Sequence, residues 1–329
     1  MKWIFLHSAR GPDMGDAKER MWGLSRVLSD LGDSCAGPVP LEVLRLRSVC
    51  RECWPDVAVV TGLGDAWFVR LVWPAAAIAL RLSSPDRLRD SILHRWICTA
   101  CVDRLLADDP AGLQRFLDHP WILPGKVIVM AEGSARQWRH AMASACRVRQ
   151  GLRCRADPST DGTVWFRMPG VPVGPEAAAW EDDPDGETIK RSPASVVGRM
   201  ETGGQVYYTK RFLDDRSVLR RCRIRGPAAV RNFRAALRLS VRGAVVVPHL
   251  GAGGIPARYG RSGSLLVTGT LPDTIRADRW RADTPLGSSE RRRFVGALAT
   301  WLARLHANGI ACHDLKASNI LVGGEKNGE

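Results

Sequence analysis

Ala311-Cys-His-Asp-Leu-Lys-Ala-Ser-Asn-Ile-Leu-Val322 decides how the rest of the chain is read. The run before it, 291–310, carries Phe294, Leu298, Trp301, Leu302 and Leu305 at the spacing of a helix with one inward face. Gly309 follows as a candidate left-handed C-cap. After the stretch, Ile320-Leu-Val322 reads as a short strand. A turn between helix and strand therefore carries a carboxylate, an ammonium group and a side-chain amide: Asp314, Lys316 and Asn319. The competing reading is a polar turn without a chemical role.

Working outward, the chain from 188 reads as strand, turn, strand. Thr188-Ile-Lys190, the loop Arg191-Ser-Pro-Ala-Ser195, residues 196–200, a Gly203-Gly204 turn and Gln205-Val-Tyr-Tyr-Thr-Lys-Arg-Phe212 give three antiparallel strands. Lys210 sits near the end of the third. A helix is expected over 228–239, with Val230, Phe233 and Leu237 on one face. Further strands are expected at 245–250 and 264–268, the latter leading into a connection at Gly269, Thr270 and Leu271.

The order Asp314, Lys316, Asn319 before an apolar strand resembles the catalytic loop of kinase-fold phosphotransferases, H-R-D-L-K-x-x-N. That resemblance implies Asp314 as the base for an acceptor hydroxyl, Lys316 as the cation offsetting charge on the moving phosphoryl, and Asn319 as a metal ligand. The hairpin, with Ser195-Val-Val and Tyr207-Tyr-Thr-Lys-Arg-Phe212, and Leu305-His-Ala-Asn-Gly309 are similar to the lipopolysaccharide inner-core sugar kinases, the Kdo/heptose kinase family. The family likeness implies ATP and Mg2+, with Lys210 anchoring phosphate. Backbone N–H groups and the Ser192 or Ser195 hydroxyls would replace the missing G-x-G-x-x-G, and Gly269 to Leu271 would receive adenine. The acceptor would be a lipopolysaccharide core sugar or another hydroxyl compound.

Departures from that pattern narrow the reading. No acidic residue occurs between Arg216 and Leu239, so the usual Glu partner of the Lys is absent and Asn232 is a candidate for its place. Cys312 and His313 replace the His and Arg of H-R-D, which disfavours a kinase regulated through an activation-segment phosphate. The family's second metal-binding Asp would fall past Glu329. The chain is therefore expected to be a truncated kinase, impaired or inactive in transfer, with a nucleotide-binding pseudokinase as the alternative.

The first part of the chain alternates apolar runs with helical patterns. Strands are expected at 3–6, 55–60, 75–82, 102–107 and 126–130, and helices at 16–31, 41–53, 91–100 and 111–117. This order argues a parallel sheet covered on both faces. The opening Ile4-Phe-Leu-His-Ser, Trp54-Pro-Asp-Val-Ala-Val-Val, Val102-Asp-Arg-Leu-Leu-Ala-Asp and Ile122-Leu-Pro-Gly-Lys-Val-Ile-Val resemble the N-terminal half of GT-B glycosyltransferases of subfamily 4. The fold class expected is thus an α/β Rossmann-like domain over 1–134, a linker over 135–187 with a hairpin near Val164-Trp-Phe166, and an α+β kinase-like small lobe with an incomplete large lobe over 188–329. Two other functions stay open: a bacterial protein serine/threonine kinase, and a glycosyltransferase or noncatalytic nucleotide-binding protein with a vestigial kinase half.

Bulk properties bound these readings. At 329 residues there is length for two domains. A net charge of +14, carried mostly by Arg, suits phosphate-bearing ligands, an anionic membrane surface or a merely solvated Arg-rich exterior. The densest basic segment, 216–242, lacks interleaved aromatics, so nucleic acid is not expected as a partner. No apolar run has the roughly 20 residues of a membrane span, and Trp3 to Leu6 is too short for a secretory signal. The expected location is the cytoplasm, with association at the inner face of the cytoplasmic membrane left open. The CxxC pairs Cys50/Cys53 and Cys98/Cys101 fall in helical patterns and read as buried thiols before zinc ligands.

Overall fold

A computed structural model describes residues 1–7, 29, 33–40, 55–82, 88, 91–130, 135–153, 157–158, 164–171, 174, 177, 186–202, 204–213, 227–255, 263–283, 288–312 and 315–323. The helices expected over 16–31 and 41–53 lie outside them, Ser29 excepted, as do Cys50, Cys53, His313 and Asp314.

Strands β1 (Lys2–His7), β2 (Ser34–Pro40), β3 (Val57–Val60), β4 (Ala77–Arg81), β5 (Arg104–Ala107) and β6 (Val127–Val129) form one sheet in the order β2-β1-β3-β4-β5-β6. Each adjacent pair runs parallel. Parallel strands are covered on both faces, which is why β3 and β4 are unbroken apolar runs with their interior positions buried. One face, carrying Ile4, Leu6, Ala58, Val60, Ile78 and Leu80, packs against α1 (Leu63–Val72), the π-helical turn Ile97–Cys101 that continues α2 (Ile92–Trp96), and Phe116 of α3 (Pro110–Leu117). The other face, with Trp3, Phe5, Val57, Val59, Ala77 and Ala79, is covered by Trp138, Met142, Ala145 and Cys146 of α4 (Ala135–Arg153).

Two buried aspartates fasten this unit. Asp33 accepts from the Met1 ammonium at 3.0 Å, from the Trp3 indole at 2.8 Å and from two nitrogens of Arg139 at 2.8 Å each, joining β1 to α4. Asp103 accepts from Arg70 at 2.6 Å, from the Ile78 amide at 2.8 Å and from Arg149 of α4. Both carboxylates are held below their ordinary pKa, Asp33 chiefly by the Arg139 guanidinium and Asp103 by its arginines against the opposing pull of burial.

The second sheet is antiparallel: β7 (Asp157–Pro158), β8 (Val164–Arg167), β9 (Glu187–Arg191), β10 (Ser195–Thr202), β11 (Gln205–Phe212), β12 (His249–Gly254) and β13 (Ser264–Thr268), in the order β7-β8-β12-β13-β11-β10-β9. Helix α5 (Ala228–Val241) covers one face through Ala229, Val230, Phe233 and Leu237, packed on Ala252 and Leu266. Trp165, Tyr207, Leu265 and Val267 make the core of the other. Beyond β13 come β14 (Thr274–Arg276), α6 (Ala277–Asp283), α7 (Ser289–Ala307) and β15 (Leu321–Gly323), with β15 antiparallel to β14.

The structure departs from the sequence reading at four places. The stretch 135–153, expected within a linker, is a 19-residue helix, because Trp138, Met142, Ala145 and Cys146 give it a buried stripe. The hairpin expected near Val164-Trp-Phe166 is present as β7 and β8, but it is part of the second sheet through β12 rather than of a linker. β2, with Gly37, Pro38 and Pro40, has no counterpart among the expected strands; it lies at the sheet edge, where prolines are tolerated. Residues 245–248, expected as a strand, are irregular, and pairing starts at His249 in a Gly-rich run. That run has a steric reason: a Cβ on Gly253 would come within 2.4 Å of the Trp165 ring. No helix among the described residues is long and apolar enough to cross a membrane.

The two sheets meet at a seam built by 117–126. The Lys126 ammonium, buried, donates to the Val241 carbonyl at the end of α5 at 2.7 Å. Arg304 of α7 donates to the carbonyls of Leu117 at 2.8 Å and Ile122 at 3.2 Å, and the Asn308 amide donates to that of Trp121 at 2.6 Å. Leu123 is buried with Ala244, Leu305 and Ile310.

Candidate functional site

Lys210 lies on β11 opposite Leu266 of β13 and Val197 of β10. Alternation puts it on the same face as Phe212, which packs with Leu266 and Phe233 under α5. Its ammonium stands 4.9 Å from the centre of the Phe212 ring, a cation–π arrangement, and it has no carboxylate partner among the described residues. Asn232 does not supply one: its amide donates to Ala228 of its own helix at 2.9 Å. That bond fixes the Asn232 side chain along its own helix. A half-buried ammonium is a position at which an anionic group is favoured.

The loop between β9 and β10 is a tight turn closed on itself. Ser192 N–H donates to the Ser195 carbonyl at 2.8 Å, Ser195 N–H donates to the Ser192 hydroxyl at 3.0 Å, and that hydroxyl donates to the Ser195 carbonyl at 3.0 Å. Ser192 and Ser195 thus lie together one strand from Lys210, with these groups engaged in holding the turn. Pro193, at the tip, has no N–H to offer.

β13 ends at Thr268, opposite Tyr208, and the chain passes through Gly269, Thr270 and Leu271. Gly269 N–H donates to the Pro248 carbonyl at 2.8 Å, and Thr274 donates through its hydroxyl to the Leu271 carbonyl at the same distance. His249, opposite Thr268, has Nδ1 2.7 Å from the Val247 carbonyl, and burial lowers its pKa, which favours the neutral ring. These bonds fix the connection as a defined bend between β13 and β14.

The loop carrying Lys316 and Asn319 is tied to that bend. β14 pairs with β15 through Thr274 to Gly323, Ile275 to Val322 and Arg276 to Leu321, and Ala277 N–H donates to the Ile320 carbonyl at 2.9 Å. Immediately before β15, a 3-10 turn Ala317–Asn319 follows Lys316, with Asn319 N–H donating to the Lys316 carbonyl at 2.8 Å. Lys316 and Asn319 are exposed. The fold thus joins the bend at 269–271 to the loop at 316–319 through a two-stranded ribbon, and sets Lys210 on the strand beside the one that enters the bend. Asp314 stands in the sequence between Cys312 and Lys316, outside the described residues.

Helix α7, which delivers this loop, has the expected inward stripe in part. Leu305 is buried, Trp301 and Leu302 pack beside it, Phe294 lies against Trp280 of α6 with ring centres 4.6 Å apart, and Leu298 stays half-exposed. Gly309, at φ +67, takes the left-handed C-cap. Elsewhere, Cys98 and Cys101 are buried and their thiol pKa values are pushed up by burial, Cys98 to about 12. Sequence reasoning gave no place to Lys126, Arg304 or Asn308. A signal for the first was available in Lys126 opening the apolar run Val-Ile-Val, where a cation needs a buried acceptor.

Residues 175–329 match the model of the lipopolysaccharide kinase (Kdo/WaaP) family. The match takes in β9 through β15, and so Lys210, the bend and the loop of Lys316 and Asn319, while β8 of the same sheet precedes it. No curated protein matches the chain.

Proposed function

We propose that the antiparallel unit is a kinase-like domain that binds ATP and transfers its terminal phosphoryl group to a hydroxyl of a lipopolysaccharide core sugar. The family match over 175–329 carries this reading, because it coincides with the elements bearing Lys210, Lys316 and Asn319. In it, β9 to β11, β12, β13 and α5 act as the small lobe, and the half-buried Lys210 ammonium holds the ATP phosphates. The bend offers backbone groups of Thr270 and Leu271 to adenine, since Gly269 N–H is already engaged. Ser192 and Ser195 reach phosphate only by giving up bonds within their turn.

On the other side of the nucleotide, Asp314 accepts the proton of the attacking hydroxyl and Lys316 offsets charge on the phosphoryl in flight. Asn319 has the hard amide oxygen that suits Mg2+, which when bound would screen the phosphate charge. The acceptor is drawn from the chemistry of the matched family, and the reaction is placed in the cytoplasm, where ATP is supplied.

The test uses the full chain. Titration calorimetry with ATP and Mg2+ is expected to show saturable binding that Lys210→Met weakens by about tenfold or more, the effect of losing a charge-assisted contact worth roughly 1.5 to 3 kcal/mol. Asp314→Asn should leave that binding in place and, in a form of the protein long enough to turn over, abolish core-sugar-dependent ATP consumption. Equal binding by wild type and Lys210→Met, or unchanged turnover in Asp314→Asn, would overturn the assignment.

A second reading concerns the parallel sheet, taken as a Rossmann-like, GT-B-type half. β2 and β3 lie on opposite sides of β1, a reversal of strand order at which open α/β sheets receive ligands at their carboxyl ends. Binding of a nucleotide sugar that persists in Lys210→Met would favour it, and its absence would leave this sheet a structural partner of the kinase-like unit.

A further inference from the structure

We infer that the loop from Leu117 to Lys126 is a clamp on the phosphoryl-transfer site: it locks the end of α5 to the end of α7, so Lys126, Arg304 and Asn308 act as positioning residues for the two sides of the nucleotide cleft. The inference rests on the proposed kinase reading, and adds to it a task for the parallel-sheet unit.

The end of α5 has to be satisfied at this seam, because the last carbonyls of a helix lack partners within it, and α7 in turn supplies donors to the carbonyls of the loop. Lys126 meets the α5 end directly, its buried Nζ donating to the Val241 carbonyl at 2.7 Å. Beside it the backbones come together without side chains: a Cβ on Gly125 would lie 2.6 Å from the Gly243 carbonyl oxygen, and one on Gly243, at φ +90, 2.9 Å from Lys126 N. Nothing larger than glycine allows this approach at either position.

The α7 end is held by the same loop from the other side. Arg304 spreads its guanidinium over the carbonyls of Leu117 and Ile122, and Asn308, one turn later, donates to Trp121 at 2.6 Å. Arg242, just past α5, donates to the Asn308 carbonyl at 3.3 Å, which closes the ring from α5 to α7. Leu123 fills the centre against Ala244, Leu305 and Ile310. From Ile310 the chain runs directly into the stretch that bears Lys316 and Asn319, while α5 covers the sheet face that bears Lys210. Any sliding of one helix end against the other must break bonds made by a loop from the first sheet.

The test compares full-length wild type with Lys126→Met and Arg304→Met, and with Asp33→Asn, which loosens the parallel-sheet unit away from the seam. Hydrogen–deuterium exchange is read over 228–246 and 305–323, and affinity for ATP with Mg2+ by calorimetry. The clamp predicts faster exchange in both segments and affinity about tenfold lower for the two seam variants, within the range of site-to-site coupling, with neither change in Asp33→Asn. Arg304→Lys, which keeps one cation and reaches one carbonyl, should recover part of both. Should Arg304→Met fail to fold, Asn308→Ala takes its place. Unaltered exchange and affinity in the seam variants, or the same losses in Asp33→Asn, overturn the clamp. If wild type binds no ATP, the kinase reading falls, and the exchange comparison still decides whether the loop holds the two helix ends together.

Discussion

Asp33 illustrates what a single buried carboxylate does to a sheet edge. It gathers the chain's first ammonium, an indole N–H and an arginine fork, so replacing it with Asn leaves cations facing a neutral amide. Arg139 is 41% exposed, and water will compensate it in part. Asp33→Asn should therefore cost about 2 kcal/mol by urea unfolding at neutral pH. The acid limb has a definite sign. Since the folded pKa is depressed, the contribution is complete above the ordinary Asp value of about 4 and fades as pH falls below it. The gap between wild type and Asp33→Asn should thus narrow in unfolding curves taken progressively below about pH 4, and a gap that stays constant would refute the account.

Elements were legible in the sequence where burial was one-sided or complete. The apolar runs that became β1, β3, β4 and β5 could hardly be anything else, and the alternation in Gln205–Phe212 fixed both the strand and the side of Lys210. What escaped were elements whose cause lies in another part of the chain. Helix α4 presents Trp138, Met142, Ala145 and Cys146 toward the sheet, a stripe set among polar and charged residues of the kind found in linkers, and Trp3 stacking on Trp138 at 4.7 Å reveals its purpose. The strand expected at 245–250 is displaced to β12, whose glycines are explained only by Trp165 lying across them. Gly253→Ala accordingly pits a Cβ against that ring. It should destabilise the protein by about 1 to 3 kcal/mol, with a changed tryptophan emission in the folded state, whereas Gly204→Ala, at φ +72 with open space around it, should lose stability without that spectral change. Lys210, Lys316 and Asn319 were singled out from local order and their roles are proposed, whereas Asn232 bonding to its own helix was not foreseeable from type or spacing.

At the level of the whole molecule, Lys126 couples folding to pH. Burial together with Arg149 and Arg104 outweighs Asp103 and lowers the Lys126 pKa to about 7, with the Cys98 thiol also facing it. The unfolded chain keeps its proton up to about pH 10, so between these values unfolding takes up a proton and stability rises with pH. Relative to Lys126→Met, the wild type should gain up to about 1.4 kcal/mol per pH unit from about pH 7 toward 10. Denaturation midpoints of the two proteins that move in parallel over that interval would refute the assignment.

Gly125 and Gly243 touch where neither tolerates a methyl group, though one opens a strand of the first sheet and the other follows a helix on the second. In a saturation library scored for folded protein, both codons should come out nearly immutable, and no second-site change at one should rescue a loss at the other, because the obstacle is main chain on both sides. The joint between the halves would then record, in two distant letters of the gene, how closely they are pressed together.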